Sequence, residues 1–356
     1  MKKKSLIAKK VIHKSFNFKE IFKDRKIFEI YKTFIKNFEY SDKSKKIAIS
    51  VSGGPDSMAL CFLVSSYKSL NNNKINPIFF IVDHGLRKNS TTEALQVKKH
   101  LKLKKINLNI LKWKGKKPNS NLQSLARQKR YSLLFNECQK NNIKTILTGH
   151  HQDDLYETFF SRLLRGSGSE GLSSFSKNKK TFMFKGQKIE VIRPLINLTK
   201  DDLIYVAKNV FNFFVDDPSN KMEKFQRVRL RNLIKNLKNQ GLDFNKLKLT
   251  INNLASTNKA INEIVKNNIA KNVNFIKDKY LINSEFFLKP EEIVFRSLCN
   301  LIITINKNDY PPRGKKMINL IRSIKSKDQF KATLGGTIIQ KMHNSVILRA
   351  EKTKKL

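Results

Sequence analysis

The sequence predicts an α/β fold: a doubly wound parallel sheet of the Rossmann-like kind with a smaller helical or mixed C-terminal domain. Three observations predict it. Strand-like apolar runs alternate with helix-periodic runs four times between Ile47 and Leu164, the pattern of βα units that build parallel sheets. Three of those strand-like runs end in polar strings, at Ser52, Asp83 and Gly149. Ligands of open α/β sheets sit at the carboxyl ends of strands. Near Gly241 the alternation stops.

Each element has its own signal. Ile21, Phe22, Ile27, Phe28, Ile30, Tyr31, Phe34, Ile35 and Phe38 fall at helical spacing and predict one helix beside the first strand. Ile47, Ile49 and Val51 supply the β-branched content of a short buried strand. Ser52-Gly53-Gly54-Pro55-Asp56-Ser57 is a tight turn, and Met58, Leu60, Cys61, Leu63 and Val64 line a helix ending near Tyr67. Asn71-Asn72-Asn73 is a turn. Ile78 to Val82 is a second strand with no polar residue, running into Asp83-His84-Gly85-Leu86-Arg87. A helix over Glu93–Lys102, a strand over Ile106–Trp113, a basic loop at Lys114–Pro118 and a long helix over Ser120–Asn141 follow. Thr145–Thr148 is the fourth strand, ending in Gly149-His150-His151-Gln152-Asp153-Asp154 and a helix to about Leu164.

Beyond it, Arg165–Leu172 reads as a flexible glycine loop and Ile189–Ile192 as a fifth strand before Arg193-Pro194-Leu195. Lys200–Asn209 is helical, and Phe213-Phe214-Val215 leads into Asp216-Asp217-Pro218-Ser219-Asn220. Arg227, Arg229 and Arg231 alternate ahead of Asn232. Leu247–Lys271 has helical periodicity, and Ala332–Arg349 reads as two short strands around Lys341–Asn344.

With 356 residues the chain has room for two domains. No run reaches the roughly 18 apolar residues of a membrane span. The net charge of +44, from 72 basic and 28 acidic residues, suits a polyanionic partner. It also fits a general drift toward Lys, Asn and Ile. Three cysteines far apart, Cys61, Cys138 and Cys299, suggest a reducing compartment and no cysteine metal site. Met1–Lys19 is basic and lacks the apolar core of a secretion signal. That leaves a basic tail on a cytoplasmic protein or a Lys-rich organelle leader.

The chemistry concentrates in two places. A glycine turn feeding a helix N-terminus offers N–H groups and the positive end of a dipole, worth about 0.3–1 kcal/mol to an anion. Ser52 and Ser57 add hydroxyls there. A carboxylate at Asp56 would repel phosphate unless a divalent cation bridged the two. Asp153, Asp154 and Glu157 open the helix after the fourth strand. Asp154 and Glu157, three apart, share a face. Acids at a helix start are favoured by the dipole alone. Beside His150 and His151 they also suit a metal or a cationic ligand. Arg127 and Arg130 share a helix face fit either for solvent or for phosphate.

The string at 52–57 resembles the pyrophosphatase loop of N-type ATP pyrophosphatases, and no Walker sequence is present. Six further strings occur in order and at sensible spacing. They are Val-Asp-His-Gly-Leu-Arg at 82–87 with Glu93, Ala-Arg-x-x-Arg-Tyr at 126–131, Gly-His-His-x-Asp-Asp-x-x-Glu-Thr at 149–158, Arg-Gly-Ser-Gly-x-x-Gly-Leu at 165–172, and Arg-Pro-Leu at 193–195 with Asp-Asp-Pro-Ser-Asn at 216–220. Over roughly residues 45–235 the set resembles the tRNA(Ile)-lysidine synthetases.

The resemblance implies an ATP-dependent ligase. It would adenylate C2 of the wobble cytidine in the CAU anticodon of tRNA(Ile), release pyrophosphate, and let free L-lysine displace AMP to form lysidine. Codon reading would change from AUG to AUA. Carried over, Ser52, Gly53, Gly54, Pro55, Asp56 and Ser57 would hold ATP, with Asp56 at Mg²⁺ and His84 by the nucleotide. Asp56, Arg127, Arg130 and His150 would serve adenylation, and Asp154 and Glu157 would bind lysine. The lysine amine must lose a proton, and His151 and Asp153 lie nearby in sequence. The implied organisation is a basic extension with a helix at 1–45, a PP-loop domain at 46–238 and a helical linker with a tRNA-binding domain at 239–356. A homodimer is compatible with it. The alternatives are a PP-loop tRNA sulfurtransferase, which usually uses a cysteine pair or an iron–sulfur cluster, and a non-catalytic RNA-binding protein.

Overall fold

The computed structural model describes residues 16–38, 46–71, 75–87, 89–115, 122–216, 226–306 and 312–351. Met1–Ser15, Asn72-Asn73, Lys116–Pro118 and Asp217–Asn220, all read above from sequence, lie outside them. The chain divides into two compact units after Lys248.

The first unit begins with α1 (Phe18–Ile21) and α2 (Arg25–Asn37), where sequence periodicity predicted one helix. The break has a local cause. Asp24 caps α2, its carboxylate accepting the N–H groups of Lys26 and Ile27 at 2.9 and 3.1 Å, so the helix restarts there. Ile27, Ile30, Tyr31 and Phe34 of α2 are buried in the main core, so this segment is part of the unit rather than an appendage.

β1 (Lys46–Val51), α3 (Pro55–Leu70), β2 (Asn76–Asp83), α4 (Ser90–Leu103), β3 (Leu108–Lys112), α5 (Leu122–Lys140), β4 (Thr145–Thr148), α6 (Gln152–Leu163) and α7 (Ser169–Ser173) follow. Then come β5 (Lys179–Phe184), β6 (Gln187–Ile192), α8 (Lys200–Phe211) and α9 (Gln226–Asn239). The sheet order is β3-β2-β1-β4-β6-β5, parallel except for β5. Alternation along the strands explains the two covered faces. Ile47, Ile49 and Val51 enter the core with α2, α3 and α8, whereas Ala48 enters a second core with Leu134, Phe135 and Cys138 of α5. β1 pairs with β2 on one side and β4 on the other. The order reverses there, and the carboxyl ends of β1 and β4 flank the crevice where such sheets bind ligands.

Two sequence expectations need correction. The fifth strand is half of a hairpin, because β5 pairs antiparallel with β6 through Lys185 and Gly186, both at positive φ, as tight hairpin turns require. β5, Lys-Lys-Thr-Phe-Met-Phe, is an edge strand with Met183 exposed, and its lysines hide the strand pattern while protecting the edge. The glycine loop holds a helical turn, α7, and Arg162 Nη1 ties its far end to the Gly171 carbonyl at 2.5 Å and to the Ser174 hydroxyl. The alternating arginines lie on helix α9.

α10 (Phe244–Asn272) crosses the unit boundary. The second unit continues with β7 (Val273–Ile276), β8 (Lys279–Ile282), a 3₁₀ turn at Ser284–Leu288, α11 (Glu291–Asn306) and α12 (Gly314–Ser326). β9 (Gln329–Leu334), β10 (Thr337–Met342) and β11 (Ser345–Ala350) close it, three strands where two were expected. Its sheet, β7-β8-β11-β10-β9, is wholly antiparallel. Val294, Leu298, Ile302, Met317 and Ile321 pack on Ile339, Val346 and Leu348. Among the described residues no helix is long and apolar enough to cross a membrane.

Candidate active site

The turn after β1 is built mainly from backbone. Gly53 has φ +85°, and a Cβ there would meet Val97 Cγ2 at 2.7 Å and Val215 Cγ2 at 3.1 Å. Only glycine satisfies both the conformation and the space. Ser57 is buried, and its hydroxyl is the hub of the turn. It accepts the N–H groups of Ser52 and Gly53 at 3.1 Å each and donates to the Gly54 carbonyl at 3.0 Å. Ser57 thus shapes the turn from inside, a role the sequence reading did not give it. Pro55 opens α3 at its first turn, where a missing N–H costs nothing. The remaining first-turn amides and the helix dipole face the crevice.

The turn after β4 touches the first. A Cβ on Gly149 would lie 3.2 Å from the Asp56 carbonyl carbon and the Ser57 nitrogen, so a side chain there would push the two turns apart. His151 caps α6, its N–H donating to Asp154 Oδ2 at 3.0 Å. The His151 ring is buried, with Nε2 3.8 Å from Asp56 and 3.7 Å from Asp154. Burial works to lower the His151 pKa, but Asp153, Asp154 and Asp56 outweigh it, and the net shift is upward. The surrounding carboxylates thus favour a proton on His151 more than on a free imidazole. His150 goes the other way: burial first, then Arg193 and Arg127, bring it down to about 4 against the pull of Asp154. Its Nδ1 sits 2.9 Å from the Thr148 hydroxyl. Two adjacent histidines are thus shifted in opposite directions.

Asp154 stays ionised. Burial raises its pKa, but His151, His150 and the His151 N–H bring the net shift below the usual carboxylate value. Glu157 is buried, and Arg231 Nε on α9 lies 2.5 Å from its Oε1. Burial still pushes the Glu157 carboxyl up, because Arg231 offsets only part of it. Lys200, the first residue of α8, reaches Asp56 with Nζ at 2.7 and 2.8 Å from the two carboxylate oxygens. Arg193 is buried over the Phe175 ring at 3.9 Å. Lys200 had no assigned role in the sequence reading, Arg193 entered only as part of Arg-Pro-Leu, and Arg231 was read as one of three alternating arginines suited to phosphate, not as the partner of Glu157.

The other expected residues fall nearby. His84, just past β2, has Nε2 3.5 Å from Arg130 Nε on α5. Arg127 shares that helix and lies 5.3 Å over the Tyr131 ring. Asp83, buried, accepts from the Gly85 N–H and the Ser90 and Thr91 hydroxyls and so shapes the β2 turn. A cleft of about 330 Å³ opens beside the Gly53 turn, between Glu93 on α4 and Phe213–Asp216. The cysteines lie buried in three separate cores. Burial pushes the Cys61 thiol up and the Cys138 thiol up to about 12.

A PP-loop domain family model matches residues 24–237. The tRNA(Ile)-lysidine synthase of Wolbachia pipientis is 34% identical over 315 residues, 87% of this chain and 72% of that protein. The chain belongs to the tRNA(Ile)-lysidine synthase family. The corresponding synthases of Orientia tsutsugamushi and Rickettsia typhi are 32% and 30% identical, over 89% and 93% of this chain and 72% and 75% of theirs. A U34-tRNA thiolase of Methanococcus maripaludis, solved with its [4Fe-4S] cluster, matches 64% of this chain and 76% of its own at a TM-score of 0.51 and 19% identity. That likeness extends to the fold alone.

Proposed function

We propose that this chain is the ATP-dependent ligase that forms lysidine on tRNA(Ile). It adenylates the wobble cytidine of the CAU anticodon and joins L-lysine to it. Family membership across most of the chain carries this reading, and the paired turns at the ends of β1 and β4 supply the chemistry. The turn at Ser52–Ser57 seats ATP phosphates on backbone amides and the α3 dipole. Arg127, Arg130 and neutral His150 face the adenylation centre, where the arginines offset charge developing on phosphate.

The donor set fits Mg²⁺. Asp56 supplies one carboxylate beside the phosphate turn, and among the described residues no three His, Cys, Asp or Glu side chains form a cage. Mg²⁺ is usually held by one or two carboxylates together with substrate phosphates. When bound there, it would neutralise charge on the leaving pyrophosphate.

Asp154 and Glu157 receive the lysine ammonium. A buried carboxylate only partly offset by Arg231 favours a second cation. His151 and Asp153 are the two groups beside these acids that can take the amine proton. The sulfurtransferase reading loses ground because three cysteines in separate cores make no pair, and the raised pKa values of Cys61 and Cys138 keep those two protonated. Single-turnover assays with radiolabelled lysine test the assignment. Asp154→Asn should adenylate tRNA yet slow lysine attack. Equal loss of both steps would contradict it.

A further inference from the structure

Lys200 is an odd residue for its place. It is the first residue of α8, after the Thr199 cap, whose hydroxyl and the Asp202 carboxylate form a capping box. A cation at a helix N-terminus opposes the dipole, so nothing in forming α8 asks for lysine there. Its backbone is nevertheless held firmly. The Lys200 N–H donates to Asp153 Oδ2 at 3.0 Å, the Gln152 N–H to the Leu198 carbonyl at 2.9 Å, and His151 bridges to Leu195. The start of α8 is thereby stitched to the start of α6.

From that anchor the ammonium reaches both oxygens of Asp56, beside the phosphate turn. The two side chains keep 37% and 27% of their surface exposed, and so open an ion pair adds little to stability. The pair instead resolves the electrostatic conflict of the turn, a carboxylate where phosphate must come. A lysine also has three rotatable donors on a flexible stem and can move without disturbing its backbone.

We propose that Lys200 is a phosphate ligand that rests on Asp56 until nucleotide arrives. In the resting site its ammonium takes the place of a divalent cation and competes with free metal for Asp56. When nucleotide brings its own cation to Asp56, Lys200 turns onto phosphate oxygens of the pyrophosphate leaving group. This rests on the reading of Ser52–Ser57 as the ATP phosphate seat. One consequence is that cation and nucleotide load together, so Asp56 holds little metal without ATP.

Two binding measurements on full-length protein test it without turnover. Mn²⁺ is titrated by electron paramagnetic resonance in the absence of nucleotide, and a non-hydrolysable ATP analogue is titrated by calorimetry in EDTA. Lys200→Met should bind Mn²⁺ on the order of tenfold more tightly, and Lys200→Met with Asp56→Asn should lose that gain. Lys200→Met should also bind the metal-free analogue on the order of tenfold more weakly. Lys200→Arg, which keeps the charge, should stay close to wild type in both, and thermal melting checks that each variant is folded. If Lys200→Met proves unfolded, Lys200→Gln carries the same expectations. Unchanged Mn²⁺ or analogue affinity in the folded variant overturns the inference while leaving the phosphate seat intact. Wild-type protein that binds no analogue, with or without Mg²⁺, overturns both.

Discussion

The turns after β1 and β4 lie side by side but are made of different material. The first is backbone: Gly53 at positive φ, Ser57 bonded to Ser52 and Gly53, all within six residues. The second is a network of charged side chains whose partners come from far along the chain. Glu157 pairs with Arg231, 74 residues on, and Asp153 holds the Lys200 amide, 47 residues on. A backbone site is specified locally and fails when its geometry fails. A side-chain site is specified by the whole fold and fails one partner at a time.

The largest expected effect is on the carboxylate that joins the two. Asp56→Ala should slow pyrophosphate release on the order of a thousandfold while tRNA binding survives; near wild-type adenylation would break the assignment. Next is the backbone turn itself. Gly53→Ala combines a positive φ with a 2.7 Å clash and should cost about 2–4 kcal/mol in urea unfolding. Gly54→Ala, whose Cβ would find only Ser52 Oγ at 3.7 Å, should cost under about 1 kcal/mol. Equal losses would mean that the turn is not held by its backbone.

How much of each turn was legible in the sequence follows the same division. The β1 strand, its glycines and the helix after it are contiguous, and a buried apolar run broken by Gly-Gly-Pro has few other readings. The acids at 153–157 were legible as a cluster, because Asp154 and Glu157 share a face on any helix. Their partners were not. Lys200 and Arg231 are two of 72 basic residues, and only the packing of α8 and α9 singles them out. β5 was missed for a related reason: an edge strand needs only part of its surface buried, so Lys-Lys-Thr carries no alternation to read. The opposite pKa shifts of His150 and His151 were also invisible, since both depend on neighbours that the fold supplies.

The histidines sharpen the comparison through pH. His150 has a pKa of about 4 in the folded chain and about 6.5 when unfolded. Between these values only the unfolded chain takes up the proton, so stability falls as pH drops from 6.5 toward 4, by up to about 3 kcal/mol. His150→Gln should flatten that part of the profile in pH-dependent denaturation; an unchanged slope would place the titration elsewhere. A smaller effect than at His150 is expected at Glu157. Glu157→Gln leaves Arg231 without its counter-charge, but Arg231 keeps 42% of its side-chain surface in solvent, so the loss should be about 1–2 kcal/mol. Lysine transfer should suffer more than adenylation, which single-turnover rates resolve.

Nucleoside mass spectrometry tests the central claim most directly. CAU-anticodon tRNA(Ile) is incubated with the purified chain, ATP and isotopically labelled lysine, then digested and analysed. The account predicts that labelled lysidine replaces the wobble cytidine, that omission of lysine or ATP prevents it, and that Asp56→Ala forms none. An unmodified cytidine, or a base that gains sulfur instead of lysine, would contradict it.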